Sequence, residues 1–411
     1  MRILIVNKYH KITGGADRYA LGLAALLTAH GHEPAFVAMD QPDNLPAGYP
    51  LYTIPAGVTN ATWRTASLAG KARAYAAGVY NRHAARVVAG AIAEFRPDVL
   101  HAQNLFYQLS PSVLRAAGAA GVPVVQTLHD YQPVCANNTL HCRGRICEDC
   151  KPRRFLNILK NRCYNDSLAA SWLAFSAKVV HTAAHLYPAG IDAFIAPSRF
   201  LKEKIESFGL HMPPIQHVNN FLDTAGLDPD YAPGDYALFF GQLLKHKGIF
   251  TLLDAVAQAA SGMAIAVAGT GPESDEVARR VERLGLSGVR LVGYQSGKAL
   301  YDLIRRARFV VVPSEWYENQ PYAVLESFAL GKPVLASAIG GIPELVDDEV
   351  GGLFTPGDTA ELAAKLAGLG SDTARLREMG MAARHRVAEA HSPEAHLERL
   401  LGVYAQVGAP E

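Results

Sequence analysis

Long apolar runs, cysteine, tryptophan and net charge are all scarce in this chain of 411 residues. No run of 18 apolar residues occurs, so no segment reads as a membrane-spanning helix. The start, Met1 to Asn7, holds too short an apolar stretch for a secretory signal, and Lys8, Lys11 and Arg18 follow at once. Five cysteines in so long a chain exclude a disulfide scaffold and suit a reducing cytoplasm. The expected location is therefore cytoplasmic, or peripheral to the inner face of a membrane.

What is present is an ordinary globular balance, with 49% hydrophobic and 19% charged residues. Single cores stop growing at roughly 250–300 residues, so two domains are expected. The net charge of +1 hides an asymmetry. Residues 1–218 carry a balance of +9 and residues 219–411 a balance of −8. The basic half faces an anionic acceptor or membrane surface, or the two halves are solvated faces that attract each other.

Strand and helix patterns alternate through both halves. Ile3–Val6, Pro34–Ala38, Val99–His101, Val122–Thr127 and Ile191–Ala196 read as strands of the first half. Residues 69–95 read as one long amphipathic helix. Tyr236–Phe240, Ala264–Ala268, Val289–Val292, Phe309–Val312 and Pro333–Ala336 are the strands of the second half, and helices are expected at 249–260, 273–284, 298–306 and 321–330. This alternation predicts an α/β fold of two doubly wound parallel sheets. The predicted domains are 1–218, joined by a C-terminal helix at 393–411, and 219–392.

The densest chemistry lies in PSEWYENQPYAVLESFALGKPVLASAIGGIPELV, residues 313–346. Pro321 suits the first turn of a helix and Gly331 its close. Glu318 precedes that helix and Glu326 lies within it, on the order of 10 Å further at 1.5 Å per residue. The helix start between them would meet anions with its unpaired N–H groups. A bare pair of this kind is also what two surface acids near a helix start would give.

The whole string resembles the Glu-x7-Glu donor motif of retaining glycosyltransferases of family 4. The resemblance extends over nearly the whole chain and implies the GT-B fold, two Rossmann-like domains facing across a cleft. It implies that Glu318 contacts the transferred sugar and Glu326 the ribose hydroxyls of a nucleoside-diphosphate sugar. Backbone at Asn319, Gln320, Pro321 and Tyr322 would cradle sugar and phosphate. Lys247, in GQLLKHKG, would neutralise the diphosphate. The family often places Arg where this chain has Gln242, so one phosphate cation is missing; Lys245 is a substitute or a plain surface residue. Gly14 and Gly15 follow the first strand, where the family has a Gly-Gly loop near phosphate and acceptor. His129 ends a strand, where related enzymes place a histidine that supports catalysis; alone it would read as a strand-end histidine. Gly269 and Gly271 imitate a dinucleotide turn without its third glycine, which argues against NAD. They are expected as donor-site backbone. Asp228-Pro-Asp230 lies in the linker, so no catalytic metal is expected.

Cys135, Cys142, Cys147 and Cys150 form C-x6-C-x4-C-x2-C, a candidate set for structural zinc or a group of free thiols. Arg143, Arg145, Lys151, Arg153, Arg154, Lys160 and Arg162 surround them. They suit a lipid-linked or phosphorylated acceptor at a membrane surface, or a solvated face. Without interleaved aromatics, nucleic acid is not expected. The expected partners are a nucleotide-sugar donor and a saccharide or lipid-linked acceptor. Two rivals stay open: a nucleotide-sugar epimerase or phosphorylase on the same fold, and a non-catalytic sugar-nucleotide binder.

Overall fold

The computed structural model describes residues 1–57, 65, 67–106, 108–164, 166–259 and 262–410. It divides into two compact units. The first comprises Met1–Arg143, Cys147–Val218 and His396–Glu411; the second comprises Gly144–Ile146 and Asn219–Ala395.

The first unit is built on β1 (Arg2–Val6), β2 (Glu33–Asp40), β3 (Leu51–Pro55), β4 (Val99–Ala102) and β5 (Val124–Thr127). A short strand follows, β6 (His141–Cys142), then β8 (Ala193–Ala196) and β9 (Ile215–His217), while β7 (Arg145–Ile146) falls in the second unit. The parallel sheet runs β3-β2-β1-β4-β5-β8-β9. Ile3, Leu4, Ile5 and Val6 are wholly buried, as a central parallel strand covered on both faces must be.

The expected long helix at 69–95 is two helices, Leu68–Val79 and Arg82–Phe95. Tyr80 turns extended, and the Asn81 side chain accepts from the amides of His83 and Ala84. Asn at such a site caps a new helix instead of continuing the old one.

The second unit carries β10 (Tyr236–Phe240), β11 (Ala264–Ala268), β12 (Val289–Gly293), β13 (Ala307–Val312), β14 (Val334–Ser337) and β15 (Gly351–Phe354). Its parallel order is β12-β11-β10-β13-β14-β15. Strand residues alternate between two cores. Tyr236 and Leu238 pack on one side with Val324, Leu325 and Phe328. Ala237 and Phe239 pack on the other with Leu252, Leu253 and Leu362. The helix expected at 249–260 is described from Ile249 to Ala259; residue 260 lies outside the described residues. No described helix is long and apolar enough to cross a membrane.

Candidate active site

In the second unit β13 delivers the chain to Ser314, Trp316 and Glu318, and the helix Tyr322–Ala329 follows. Pro321 sits just outside it, extended at φ −70° and ψ 125°. It has no N–H, so the expected cradle of amides across 319–322 loses one donor. An α-helix leaves its first amides without acceptors in the preceding turn. Here the Val324 amide turns back to the Pro321 carbonyl at 3.0 Å.

Glu318 is buried, with 6% exposure. Three donors converge on its Oε1: Lys247 Nζ at 2.6 Å, Ser314 Oγ at 2.7 Å and Trp316 Nε1 at 2.8 Å. Burial pushes its pKa up, but the Lys247 charge and the bonds from Lys247, Ser314 and Trp316 outweigh it and hold the pKa below the usual value. Glu318 is thus a carboxylate kept ionised inside protein, and Oε2 carries none of these three bonds.

Glycines make this closeness possible. Gly248 stands at φ +73°, and a Cβ there would lie 1.7 Å from the Pro313 carbonyl oxygen. Gly340 stands at φ +62°, and a Cβ there would lie 2.2 Å from the Glu318 carbonyl oxygen. That same oxygen accepts from the Gly341 amide at 2.8 Å. Lys247 ends a short 3-10 turn, Lys245–Lys247, and its ammonium sits 5.0 Å from the Trp316 ring centroid. His246 packs on the same ring at 4.7 Å. Gln242, where the family often has Arg, is exposed.

Glu326 is buried within the helix, and Gln320 is buried before it. The Gln320 side chain is engaged structurally: its Oε1 accepts from the Asn220 amide at 2.5 Å and its Nε2 donates to Asn219 Oδ1 at 3.2 Å. Gly269 and Gly271 press on the Gly241–Leu243 loop, where a Cβ would meet carbonyl oxygens at 1.8 and 2.4 Å. They therefore hold that loop to the end of β11.

The first unit holds the other predicted residues. Gly14 is the extended N-cap of the helix Gly15–Ala29, and both glycines are exposed. Asp17 in the first turn braces the loop, accepting from Asn7 Nδ2 at 2.9 Å and the Thr13 amide at 3.2 Å. His129 follows β5; its Nε2 bonds Gln103 Oε1 at 2.7 Å and its ring meets Tyr19 edge-on at 5.2 Å. Burial holds its pKa down at about 3, so the imidazole is neutral at pH 7. Beneath it Tyr19 bonds His396, and His101 bonds Tyr404 and Thr127. Asp130 has its pKa pushed up to about 7 by burial, only partly offset by the Gln132 amide.

The four candidate zinc ligands do not form a metal set. Among the described residues no three suitable side chains are grouped to hold an ion. Instead Cys135 Sγ donates to Asn137 Oδ1 at 2.9 Å, Cys142 Sγ to the Asn161 carbonyl at 3.5 Å, and Cys147 Sγ accepts from Asn161 Nδ2 at 3.6 Å. Burial pushes the thiols of Cys135 and Cys150 up, the latter to about 12. Burial thus works against the thiolate form at Cys135 and Cys150, the opposite of a thiolate nest.

Sequence reasoning did not name Ser314, Trp316, Gln103 or Asp17. Ser314 and Trp316 lie inside the motif itself, four and two residues before Glu318. Gln103 lies just past the carboxyl end of β4, where parallel sheets collect ligand contacts.

Two parallel α/β units of this kind, the second carrying a clamped Glu before a helix, define the GT-B class of glycosyltransferases. The chain matches the family model "Glycosyltransferase Family 4" over residues 13–225 and "Glycosyl transferases group 1" over residues 231–386. It belongs to glycosyltransferase family 4. It is 25% identical over 305 residues to a glycogen synthase of Mycobacterium tuberculosis, across 71% of this chain and 65% of that relative's length. Its fold matches Anabaena HepE solved in complex with UDP, at a TM-score of 0.70 and 19% identity over 99% of this chain and 100% of that one. It also matches sucrose-phosphate synthase from Thermosynechococcus elongatus, at a TM-score of 0.71 and 18% identity over 99% and 98%.

Proposed function

We propose that the chain transfers a glycosyl group from a nucleoside-diphosphate sugar to an acceptor, with retention of anomeric configuration. The observation that carries this reading is the ionised Glu318 held by Lys247 immediately before a helix start. The bound UDP of the structurally similar HepE supports a nucleotide donor. Breaking the sugar–phosphate bond leaves negative charge on the diphosphate. Lys247, the first amides of the helix Tyr322–Ala329 and the loop amide of Gly15 would oppose that charge. Glu318 Oε2 would take a hydroxyl of the transferred sugar, and Glu326 the ribose hydroxyls. His129, neutral, would act as a hydrogen-bonding group for the sugar and not as an acid. Gly14, Asn319, Gln320, Pro321, Tyr322, Gly269 and Gly271 would shape the surrounding backbone. No step here calls for a metal.

The acceptor is proposed to be a saccharide or lipid-linked intermediate met at a membrane surface. On the helix Leu168–Ala183, Leu168, Trp172 and Val179 share one stripe and stand 54%, 55% and 46% exposed. Leu156, close to Arg153 and Arg154 in sequence, is 69% exposed. Apolar tips beside cations suit an anionic lipid surface.

The test is a panel of nucleotide-sugars screened by thermal shift, followed by product analysis with the stabilising donor. Transfer to added acceptor with a retained anomeric centre is expected. Donor turnover that needs no acceptor would favour an epimerase or phosphorylase, and donor binding without any turnover would favour a non-catalytic binder.

A further inference from the structure

Away from the residues assigned above, the first unit contains a cavity of about 320 Å³. That lies within the range of ligand pockets, about 300–1,000 Å³. Its walls include Phe106, Phe155 and the inward face of the helix Leu168–Ala183. The opposite face of that helix is the exposed apolar stripe.

Three polar groups in the wall are poorly served. Gln132 is 7% exposed and Tyr187 5% exposed, and both line the cavity. Among the described residues, Gln132 Nε2 and the Tyr187 hydroxyl have no hydrogen-bond partner. A buried donor left without an acceptor is costly, so two in one hollow call for an occupant. Lys178 also faces the cavity. Its ammonium donates to the Pro133 carbonyl at 2.8 Å and lies 4.8 Å from the Phe155 ring centroid. No carboxylate pairs with it among the described residues. Burial lowers its pKa to about 8. A half-buried cation without an anion is an electrostatic deficit that a ligand's charge would remove.

We propose that this cavity binds a small organic anion, whose phosphate or carboxylate head meets Lys178, whose polar atoms satisfy Gln132 and Tyr187, and whose apolar body lies against Phe106 and Phe155. Water alone would serve the two neutral groups but not the ammonium's missing counter-charge. The site stands independently of the transferase reading.

The experiment uses the full chain saturated with UDP, so that no phosphate-bearing probe is scored at a nucleotide site. Calorimetry then compares 1-naphthyl phosphate, 1-naphthol and inorganic phosphate. One equivalent of 1-naphthyl phosphate should bind at least about tenfold more tightly than either half, because head and body are recognised together. Lys178→Met should weaken it by about tenfold or more, and Gln132→Leu and Tyr187→Phe by about three- to tenfold each. UDP affinity should stay unchanged in all three, which also reports folding; if Lys178→Met fails to fold, the other two variants decide. Competition by phosphatidic acid vesicles, but not phosphatidylcholine vesicles, would assign the head to a lipid. Competition by soluble phenyl phosphate alone would assign it to a free metabolite. No binding at millimolar probe, equal binding of phosphate alone, or binding indifferent to all three substitutions would overturn the proposal and leave a water-filled hollow.

Discussion

Two desolvated carboxyl groups, a buried one in the second unit and a half-buried one in the first, meet opposite fates. Glu318 is held below the ordinary carboxylate range, while Asp130 is pushed up to about 7. Burial acts on both in the same direction. The difference lies in the partners. Glu318 receives an ammonium, a hydroxyl and an indole N–H on one oxygen. Asp130 receives a backbone amide from Gln132 at 2.9 Å. A cation within hydrogen-bond reach, more than exposure, decides whether a buried acid stays charged. The second unit is thus arranged around fixed charge, and the region under His129 around hydrogen-bonded rings.

The comparison can be broken most severely at Lys247. Lys247→Met should make Glu318 behave like Asp130, desolvated with no cation. Removing one partner of a buried pair costs about 3–5 kcal/mol, so thermal stability should fall by several degrees and transfer by about a thousandfold. The double variant Lys247→Met, Glu318→Gln should regain much of the stability and none of the activity. Thermal unfolding and initial rates check both. A single variant as stable as the parent would show that the pair does not hold the site.

Glu318→Gln alone keeps the shape and removes the charge. Transfer should drop by about 10²–10³-fold, with nucleotide affinity within a few fold. Comparable loss of nucleotide binding would mean that this side chain serves the nucleotide and not the sugar.

Asp130→Asn sharpens the other side. The folded pKa of Asp130 exceeds its unfolded value, so its contribution is present at low pH and is lost as pH rises through about 7. His129 and His101, both held near 3, act in the reverse sense, losing stability as pH falls below their unfolded value. They are common to both proteins, so the difference between variant and parent isolates Asp130. The variant should gain about 2–4 kcal/mol relative to the parent between pH 4 and 8. Denaturant titrations at several pH values would show it, and a constant difference would refute it.

The smallest effect is expected at Lys245. It stands two residues before Lys247 on the same turn and outside the bonds that hold Glu318, so Lys245→Ala should change kcat/KM by less than about threefold. A loss comparable to that of Lys247→Met would mean that positive charge anywhere on the turn suffices.

Much of the fold was legible because central parallel strands are unbroken apolar runs, as at Ile3–Val6 and Phe309–Val312. The helix after Glu318 was legible from Pro321 and Gly331, one at each end. Leu51–Pro55, Ile215–His217 and Gly351–Phe354 were missed: each is short and stands at a sheet edge, with little apolar signal of its own. The break at Tyr80–Asn81 was missed because alanine and arginine continue the helical pattern across it, and only the Asn81 cap marks it. The bond from Lys247 to Glu318 spans 71 residues and depends on two glycines that let backbones touch. No local pattern encodes such a meeting. The cysteines misled because spacing reports ligand type, whereas Asn137 and Asn161 had already taken up the thiols.

The helix Pro393–Gln406 sends His396 and Tyr404 into the buried rings of the first unit, where they bond Tyr19 and His101. The unit begun first on the ribosome is therefore finished last. Until residues beyond 395 emerge, Tyr19 lacks its bond to His396 and His101 its bond to Tyr404, while the whole of residues 219–395 has already been made.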